Sequence, residues 1–564
     1  MKKKILLVHP EFPTTYWGFQ ESLAIVNKQA SLPPLGLITL ASYLPLDWDM
    51  RLVDLNISPV EDRDLYWADV VLMGGMLVQM DSMRMVIDRA RRIGRPIVVG
   101  GPAPTTSPEL FSDVDLIVQG EVENREDELI DAISSLKAHG LAAEPGPAVP
   151  VCLGAPENHP DMKKAMAPRF DLLDIGKYTS MSIQYSRGCP FNCEFCDIVE
   201  IFGHASRVKT DDQVINELTI LNRLGFQGSI FFVDDNFIGN KRAVRTLLPK
   251  IADWQEANGR PFDFYTEASI NLADDPALIQ NMINAGFRSI FVGIETPSTE
   301  ALQEAGKKQN LAVNLQEAID SLTKCGLEVM GGFIVGFDTD TPAIFEAQRT
   351  FIQSCAIPLA MIGILIALPE TALWRRLEKE GRLREVTNGD QFGRPNFIPA
   401  MDERTLIEGY RNLLADLYDP KAYYARCENY IKKAAPLPTS GKEGVEDLKN
   451  LMRAVYKIGI RSKRRKLFWR LLGKAINSSP HTLKWAIIHA VQGEHMIRYT
   501  QDHVLPRLNM ALSEMDRETQ STRFVTGQQP RPVQKAEKSR VPSFSFEPGI
   551  QLLQPAFSAS DQEK

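Results

Sequence analysis

Three cysteines within eight residues constrain this chain more than any other feature. Cys189, Cys193 and Cys196 stand in the run Ser186-Arg187-Gly188-Cys189-Pro190-Phe191-Asn192-Cys193-Glu194-Phe195-Cys196, a C-x3-C-x2-C triplet. Iron–sulfur clusters are held by cysteine thiolates, and three thiolates this close can each take one iron of a cubane [4Fe–4S] cluster. No fourth Cys lies nearby, so one corner of the cube is left open. An open iron can bind a small chelating molecule and pass it an electron. The competing reading is a zinc site or scattered thiols. Structural zinc sites want four closed ligands, usually as two paired motifs, and no second pair exists here.

With 564 residues, the chain has room for roughly two to four domains. Residues 1–136 alternate short apolar runs with helical segments. Strands are expected at 5–8, 50–54, 70–73, 97–99 and 116–118, and helices at 35–44, 81–93 and 124–136. That alternation predicts an α/β domain with a flavodoxin-like, doubly wound parallel sheet. Its later strands end in Gly74-Gly75, Gly100-Gly101 and Gly120-Glu121. Ligands sit at that edge of such sheets, and glycines there let a large flat molecule approach the backbone. The domain has no G-x-G-x-x-G and no P-loop, which argues against a nicotinamide cofactor.

Residues 137–166, rich in Pro, Gly and Ala, read as a linker. Six strand–helix units follow within 167–400, with strands at 182–185, 229–234, 262–267, 289–295, 328–336 and 360–367. Six units are too few to close an eight-fold barrel, so a partial (β/α)6 barrel is expected. Barrels place their chemistry at the C-terminal ends of strands, and the Cys loop directly follows the first of them. Residues 401–519 read as a helical extension, and 520–564 as a tail without stable structure.

The spacing of the triplet, with Phe195 before its last Cys, resembles the radical S-adenosylmethionine (SAM) superfamily. Gly293-Ile294-Glu295-Thr296 looks like that superfamily's fourth-strand motif. Val8-His9-Pro10, Pro33-Pro34-Leu35-Gly36-Leu37, Gly100-Gly101-Pro102 and Gly120-Glu121 resemble the cobalamin-binding domain of B12-dependent radical SAM proteins. The likeness spans roughly residues 1–420. The helical extension and His9-Pro10-Glu11-Phe12-Pro13 look like the subfamily of hopanoid and bacteriochlorophyll methylases.

The resemblance implies three cofactors: a [4Fe–4S] cluster on Cys189, Cys193 and Cys196, SAM on its open iron, and cobalamin on the N-terminal sheet. SAM is expected at the barrel strand ends, against Asp234, Asp235, Glu267 and Glu295, with Gly331 and Gly332 letting its adenine lie close. Any one of these carboxylates could instead be a helix cap. Arg187 is placed to offset the charge of the cluster. Cobalamin is expected at Gly75, Met76, Leu77, Gly100, Gly101, Pro102, Gly120 and Glu121. The D-x-H-x-x-G signature is absent, and His9 is the sole histidine before residue 139. The lower face of cobalt is therefore expected to lack a His and to meet Met76 or Leu77.

The same resemblance implies a C-methyltransferase that moves a methyl from SAM, through methylcobalamin, to an unactivated carbon of an apolar, polycyclic small molecule. Two alternatives stay open: a cyclisation, oxidation or rearrangement, or a non-catalytic sensor or electron-transfer protein. An electron donor such as ferredoxin or flavodoxin is implied. A net charge of −7 argues against nucleic acid. The apolar run after Lys4 stops at His9-Pro10, too short for a signal peptide, so a cytoplasmic location is expected. Residues 457–472, KIGIRSKRRKLFWRLL, are basic and amphipathic. They read either as peripheral membrane contact or as a helix with one face in a core.

Overall fold

The computed structural model describes residues 2–138, 150–155, 158–385, 387, 389–435, 445–478 and 480–525. Strands β1 (Lys4–His9), β2 (Asp49–Asp54), β3 (Val70–Gly74), β4 (Ile97–Gly100), β5 (Leu116–Val118) and β6 (Val151–Leu153) form one parallel sheet in the order β2-β1-β3-β4-β5-β6. Helices cover both faces, so the apolar runs are buried on both sides. Leu6, Val8, Val71, Met73 and Val99 pack with Met83, Val86 and Ile87 of the helix Met80–Arg92. Ile5, Leu7, Val70 and Leu72 pack on the other side with Leu37, Ala41, Leu129 and Ile133. The strand order turns back at β1, and that reversal is where such sheets bind ligands.

β6 corrects one expectation, because it lies inside the stretch read as a linker and pairs with β5. It is an edge strand whose Val151 and Cys152 are exposed, so no apolar alternation marks it in the sequence. Residues 139–149 and 156–157 of that stretch lie outside the described residues.

The second sheet is the open barrel. Strands β7 (Ser180–Ile183), β10 (Gly228–Phe232), β11 (Phe262–Glu267), β12 (Phe287–Glu295), β13 (Glu328–Val335) and β14 (Ala360–Ile364) run parallel, each beside the next, and the last does not pair with the first. Between β7 and β10, β8 (Ser186–Arg187) and β9 (Arg207–Val208) form an antiparallel ribbon at the two ends of the Cys loop. Along β11, Phe262, Phe264 and Thr266 are buried while Asp263, Tyr265 and Glu267 are half-buried. That alternation turns the second set toward the barrel interior.

Helices from Glu403–Leu417 onward fasten to the barrel. Tyr410 Oη donates to the Ile362 carbonyl (2.7 Å), and Trp485 Nε1 donates to Glu328 (2.9 Å), which also meets His489 (2.5 Å). The loop after β1 bridges to both. Tyr16 Oη lies 2.6 Å from Thr500 Oγ1, His495 meets the Thr15 carbonyl (2.8 Å), and Trp17 sits edge-on to Phe291 of β12 with ring centres 4.6 Å apart. Met1–Ser513 is one compact unit and Glu514–Lys564 a second. In the second, the last helix continues to Val525, past the expected boundary at 519, and residues 526–564 of the expected tail lie outside the described residues.

Candidate active site

The Cys loop is held at both ends. Asp234, in the turn after β10, accepts from the Tyr185 N–H (3.1 Å) and from both the N–H and the hydroxyl of Ser186, the hydroxyl at 2.5 Å. Asp235 accepts a longer bond of 3.4 Å from the Gly188 N–H. Gly188 has φ +89°, and a Cβ there would come within 2.5 Å of the Ala205 carbonyl oxygen, so this entry to Cys189 admits only glycine. Beyond the triplet, the Glu194 N–H donates to the Ala305 carbonyl (3.0 Å), and Arg376 grips the Glu194 carboxylate at 2.5 and 3.2 Å.

All three thiols are half-buried, and burial pushes Cys189 and Cys196 above the usual thiol range. Thiolates here need a positive partner, which iron supplies. Among the described residues, no three His, Cys, Asp or Glu side chains converge on a single ion. A cubane spreads its three sulfurs over three irons, so a wider triplet suits it. The loop fits a cluster.

Lys307 carries no sequence signal, yet it stands at the centre of the site. Its Nζ pairs with Glu295 at 2.5 Å and lies 5.8 Å from the Phe195 ring centre. Burial alone would lower its pKa, but Glu295, Cys193 and Cys196 hold it above the ordinary value. The sequence assigns that charge-balancing role to Arg187, and the structure reassigns it. The Arg187 guanidinium is taken by Glu121 (2.7 Å), Glu123 (2.9 Å) and Gln184 (2.8 Å). Lys307 is the cation beside the thiols.

The other carboxylates gather at the same mouth. Burial, reinforced by Asp235, pushes Glu267 up to about 8, with Lys307 opposing. Burial pushes Asp234 up to about 7 against the bonds from Ser186 and Tyr185, and Asp235 up to about 6. Several acids sharing one lysine favour a ligand that brings positive charge, and a sulfonium bearing an ammonium group satisfies this. Gly331 and Gly332 point to opposite faces of β13, as strand alternation requires. A Cβ on Gly332 would press to 2.6 Å on Phe291, inside the barrel, whereas one on Gly331 would meet Phe333 at 2.7 Å and Ile294. Only Gly332 therefore lines the chamber, along with the stacked pair Phe231 and Tyr265 (4.8 Å) and the Trp17–Phe291 pair.

Glu267 gives a pH-dependent prediction. The folded chain keeps a proton on it up to about pH 8, while the unfolded chain releases that proton near the ordinary carboxyl value. Stability in the absence of ligands therefore falls as pH rises between those values. Cofactor-free Glu267→Gln is expected to melt about 5 °C above wild type near about pH 9 and level with it near about pH 5.

At the edge of the first sheet, Gly75, Gly100 and Gly101 draw close, and Gly120 is linked to them through the Thr105 hydroxyl, which accepts from the Gly120 N–H (2.9 Å) and donates to the Gly101 carbonyl (2.7 Å). The Gly75 N–H donates to the Gly100 carbonyl (3.3 Å), and the Ala103 N–H, just past Pro102, donates to the Gly75 carbonyl (3.1 Å). Gly101 has φ +92°, and a Cβ there would stand 3.2 Å from the Gly75 nitrogen. Gly101→Ala is therefore expected to cost about 1–3 kcal/mol in denaturant melts. Met76 is 48% exposed, while Leu77 packs into the sheet core, so of the two only Met76 reaches the open edge. Glu121 is buried, and its carboxylate is taken by Arg187, Arg207 (2.8 Å) and His159 (3.1 Å). An open, flat, backbone-lined edge fits a corrin ring.

Known proteins share this arrangement. The B12 binding domain model matches residues 22–130, the Radical SAM superfamily model residues 183–350, and a domain of unknown function residues 371–506. An uncharacterized methyltransferase of Synechocystis sp. is 37% identical over 507 residues, covering 88% of this chain and 92% of its own. The hopanoid C-2 methylase of Rhodopseudomonas palustris is 34% identical over 513 residues, covering 89% and 94%. Among solved structures, the radical SAM methyltransferase TsrM of Kitasatospora setae superposes with TM-score 0.57 at 15% identity, over 83% of this chain and 99% of that one. The cobalamin-dependent enzyme OxsB superposes with TM-score 0.53 at 17% identity, over 91% and 81%. With both domains in this order and relatives matched along nearly their whole length, the chain belongs to the B12-binding radical SAM methyltransferase family, alongside the hopanoid and bacteriochlorophyllide methylases.

Proposed function

We propose that this enzyme methylates an unactivated carbon of an apolar, polycyclic small molecule. The observation that carries the reading is the two-sided chamber: carboxylates and Lys307 at its mouth, and the aromatic pairs Phe231–Tyr265 and Trp17–Phe291 along its strands. The relatives that act on hopanoids and bacteriochlorophyllides support the same substrate class. A [4Fe–4S] cluster, SAM and cobalamin together supply one-electron cleavage chemistry and a methyl carrier.

The residues of the chain divide the remaining work. Cys189, Cys193 and Cys196 would hold the iron, and Asp234 fixes the start of their loop through Ser186. Lys307, paired with Glu295, keeps a positive charge beside the thiols and would receive the carboxylate of SAM. Burial and neighbouring acids hold Glu267 up at about 8 in the empty chamber, and a cationic ligand would draw it down and pair with its carboxylate. The aromatic walls exclude water and accept a flat apolar face. The electron would come from a small reduced carrier such as ferredoxin or flavodoxin, in a reducing compartment such as the cytoplasm.

Feeding trideuteromethyl-labelled methionine to wild-type and deletion strains tests this reading. An apolar metabolite that carries the intact label and vanishes on deletion is expected. Unchanged lipid and tetrapyrrole profiles would sink the substrate assignment, and an unlabelled product would favour cyclisation or oxidation.

A further inference from the structure

We propose that the helical extension seats the enzyme on an anionic phospholipid surface through the band Leu448, Met452, Tyr456, Ile460, Trp469 and Ile476. Ile460 and Trp469 of this band lie in the basic segment 457–472, and the other four residues flank it. In residues 457–472 the apolar side chains Ile458, Phe468, Leu471 and Leu472 are buried and occupied within the protein. The six residues of the band are each between 50% and 62% exposed.

The first four recur at every fourth position. In a regular α-helix each such step drifts about 40° past a full turn, so Ile460 would end about 120° round from Leu448. Val455–Arg461 is instead a π-helix. Its wider turn, closed by i→i+5 bonds, takes back the drift and lines the four side chains up. Trp469, on the next helix, donates Nε1 to the Gly459 carbonyl at 2.9 Å, which sets it beside Ile460. Its polar atom is thus satisfied and the exposed part of its ring is apolar. Ile476 lies two turns further along the same helix face.

Charge names the partner. Residues 445–476 hold ten Lys and Arg against two Asp and Glu, in a chain whose net charge is −7. Arg464 is paired with Glu494, and Arg470 and Lys474 with Glu428. Arg461, Lys463, Arg465 and Lys466 are exposed and form no ion pair among the described residues. An apolar band flanked by cations complements anionic headgroups over acyl chains. A second copy of this chain would bring the same cations against themselves across a two-fold interface, which disfavours self-association. No helix among the described residues is long and apolar enough to cross a membrane, so the contact is with the surface.

The inference stands apart from the methyl-transfer reading, since its test needs no turnover. The full-length holoenzyme is floated with vesicles of phosphatidylcholine alone or mixed with phosphatidylglycerol. Binding to the mixed vesicles, released by high salt, is expected. The bound fraction should fall roughly fivefold both in Ile460→Ser/Trp469→Ser and in Lys463→Gln/Lys466→Gln, with unchanged melting and cobalamin absorbance showing that the variants fold. Equal binding to neutral vesicles, or variants that float like wild type, would overturn it. So would a concentration-dependent dimer in light scattering that the variants abolish, with no vesicle binding.

Discussion

Replacing Cys189, Cys193 and Cys196 together by Ala is expected to take reconstituted iron from about four atoms per chain to near none and SAM cleavage to background. The triplet is the sole set of thiols close together in the sequence. Cys355 and Cys427 are buried elsewhere, and Cys152 and Cys325 are exposed and scattered. None of them can take over an iron from a missing ligand. Nor is the loss expected to come from unfolding. The loop is fixed by Asp234, Glu194 and Gly188, none of which needs the thiols, so the melting temperature of the cofactor-free variant should stay close to that of wild type. Iron analysis together with a melt separates the two causes. A variant that retains iron would remove the basis of the assignment.

Arg187→Met is expected to destabilise the protein by about 3–5 kcal/mol in a chemical melt. The guanidinium lies between Glu121 and Glu123, whose side chains are only 2% exposed. Glu123 feels burial pushing its carboxyl up, but Arg187 outweighs this and holds it below its ordinary value. Met fills the volume while leaving both acids without their main cation, although Arg207 still reaches Glu121. Breaking a buried pair from one side costs far more than replacing all of it. Adding Glu123→Gln to Arg187→Met removes the acid left without a cation while Glu121 keeps Arg207, and should therefore recover most of the loss. A change under about 1 kcal/mol for the single variant would show that these charges are solvated.

The Arg187 case also shows where the sequence stops being legible. The Cys site could be read because all its ligands sit in one short loop, and the sheet edge because its glycines each follow an apolar run. Arg187 stands two residues before Cys189, and proximity in sequence suggests a role at the cluster. Its carboxylate partner Glu121 is 66 residues away, a distance that only folding removes. Lys307 is hidden for the same reason: it pairs with Glu295 from beyond the helix Thr299–Glu304, and nothing in Gly306-Lys307-Lys308 announces a buried cation. Gly331 and Gly332 read as a pair, but a pleated strand sends neighbours to opposite sides. Trp17 reaches the barrel only because the loop after β1 crosses to it. In the helical extension, the conspicuous run from Leu467 to Leu472 supplies core residues, and the exposed band is spread too thinly along the chain to stand out.

Methyl transfer as proposed requires one iron of the cluster to be free to bind SAM and deliver an electron to it. Anaerobically reconstituted, full-length protein supplied with SAM and a chemical reductant measures this through the 5′-deoxyadenosine released. The wild-type protein is expected to release 5′-deoxyadenosine, and the Cys189→Ala/Cys193→Ala/Cys196→Ala variant none. Wild-type protein that is fully loaded with iron and binds SAM, yet releases no 5′-deoxyadenosine, would contradict it.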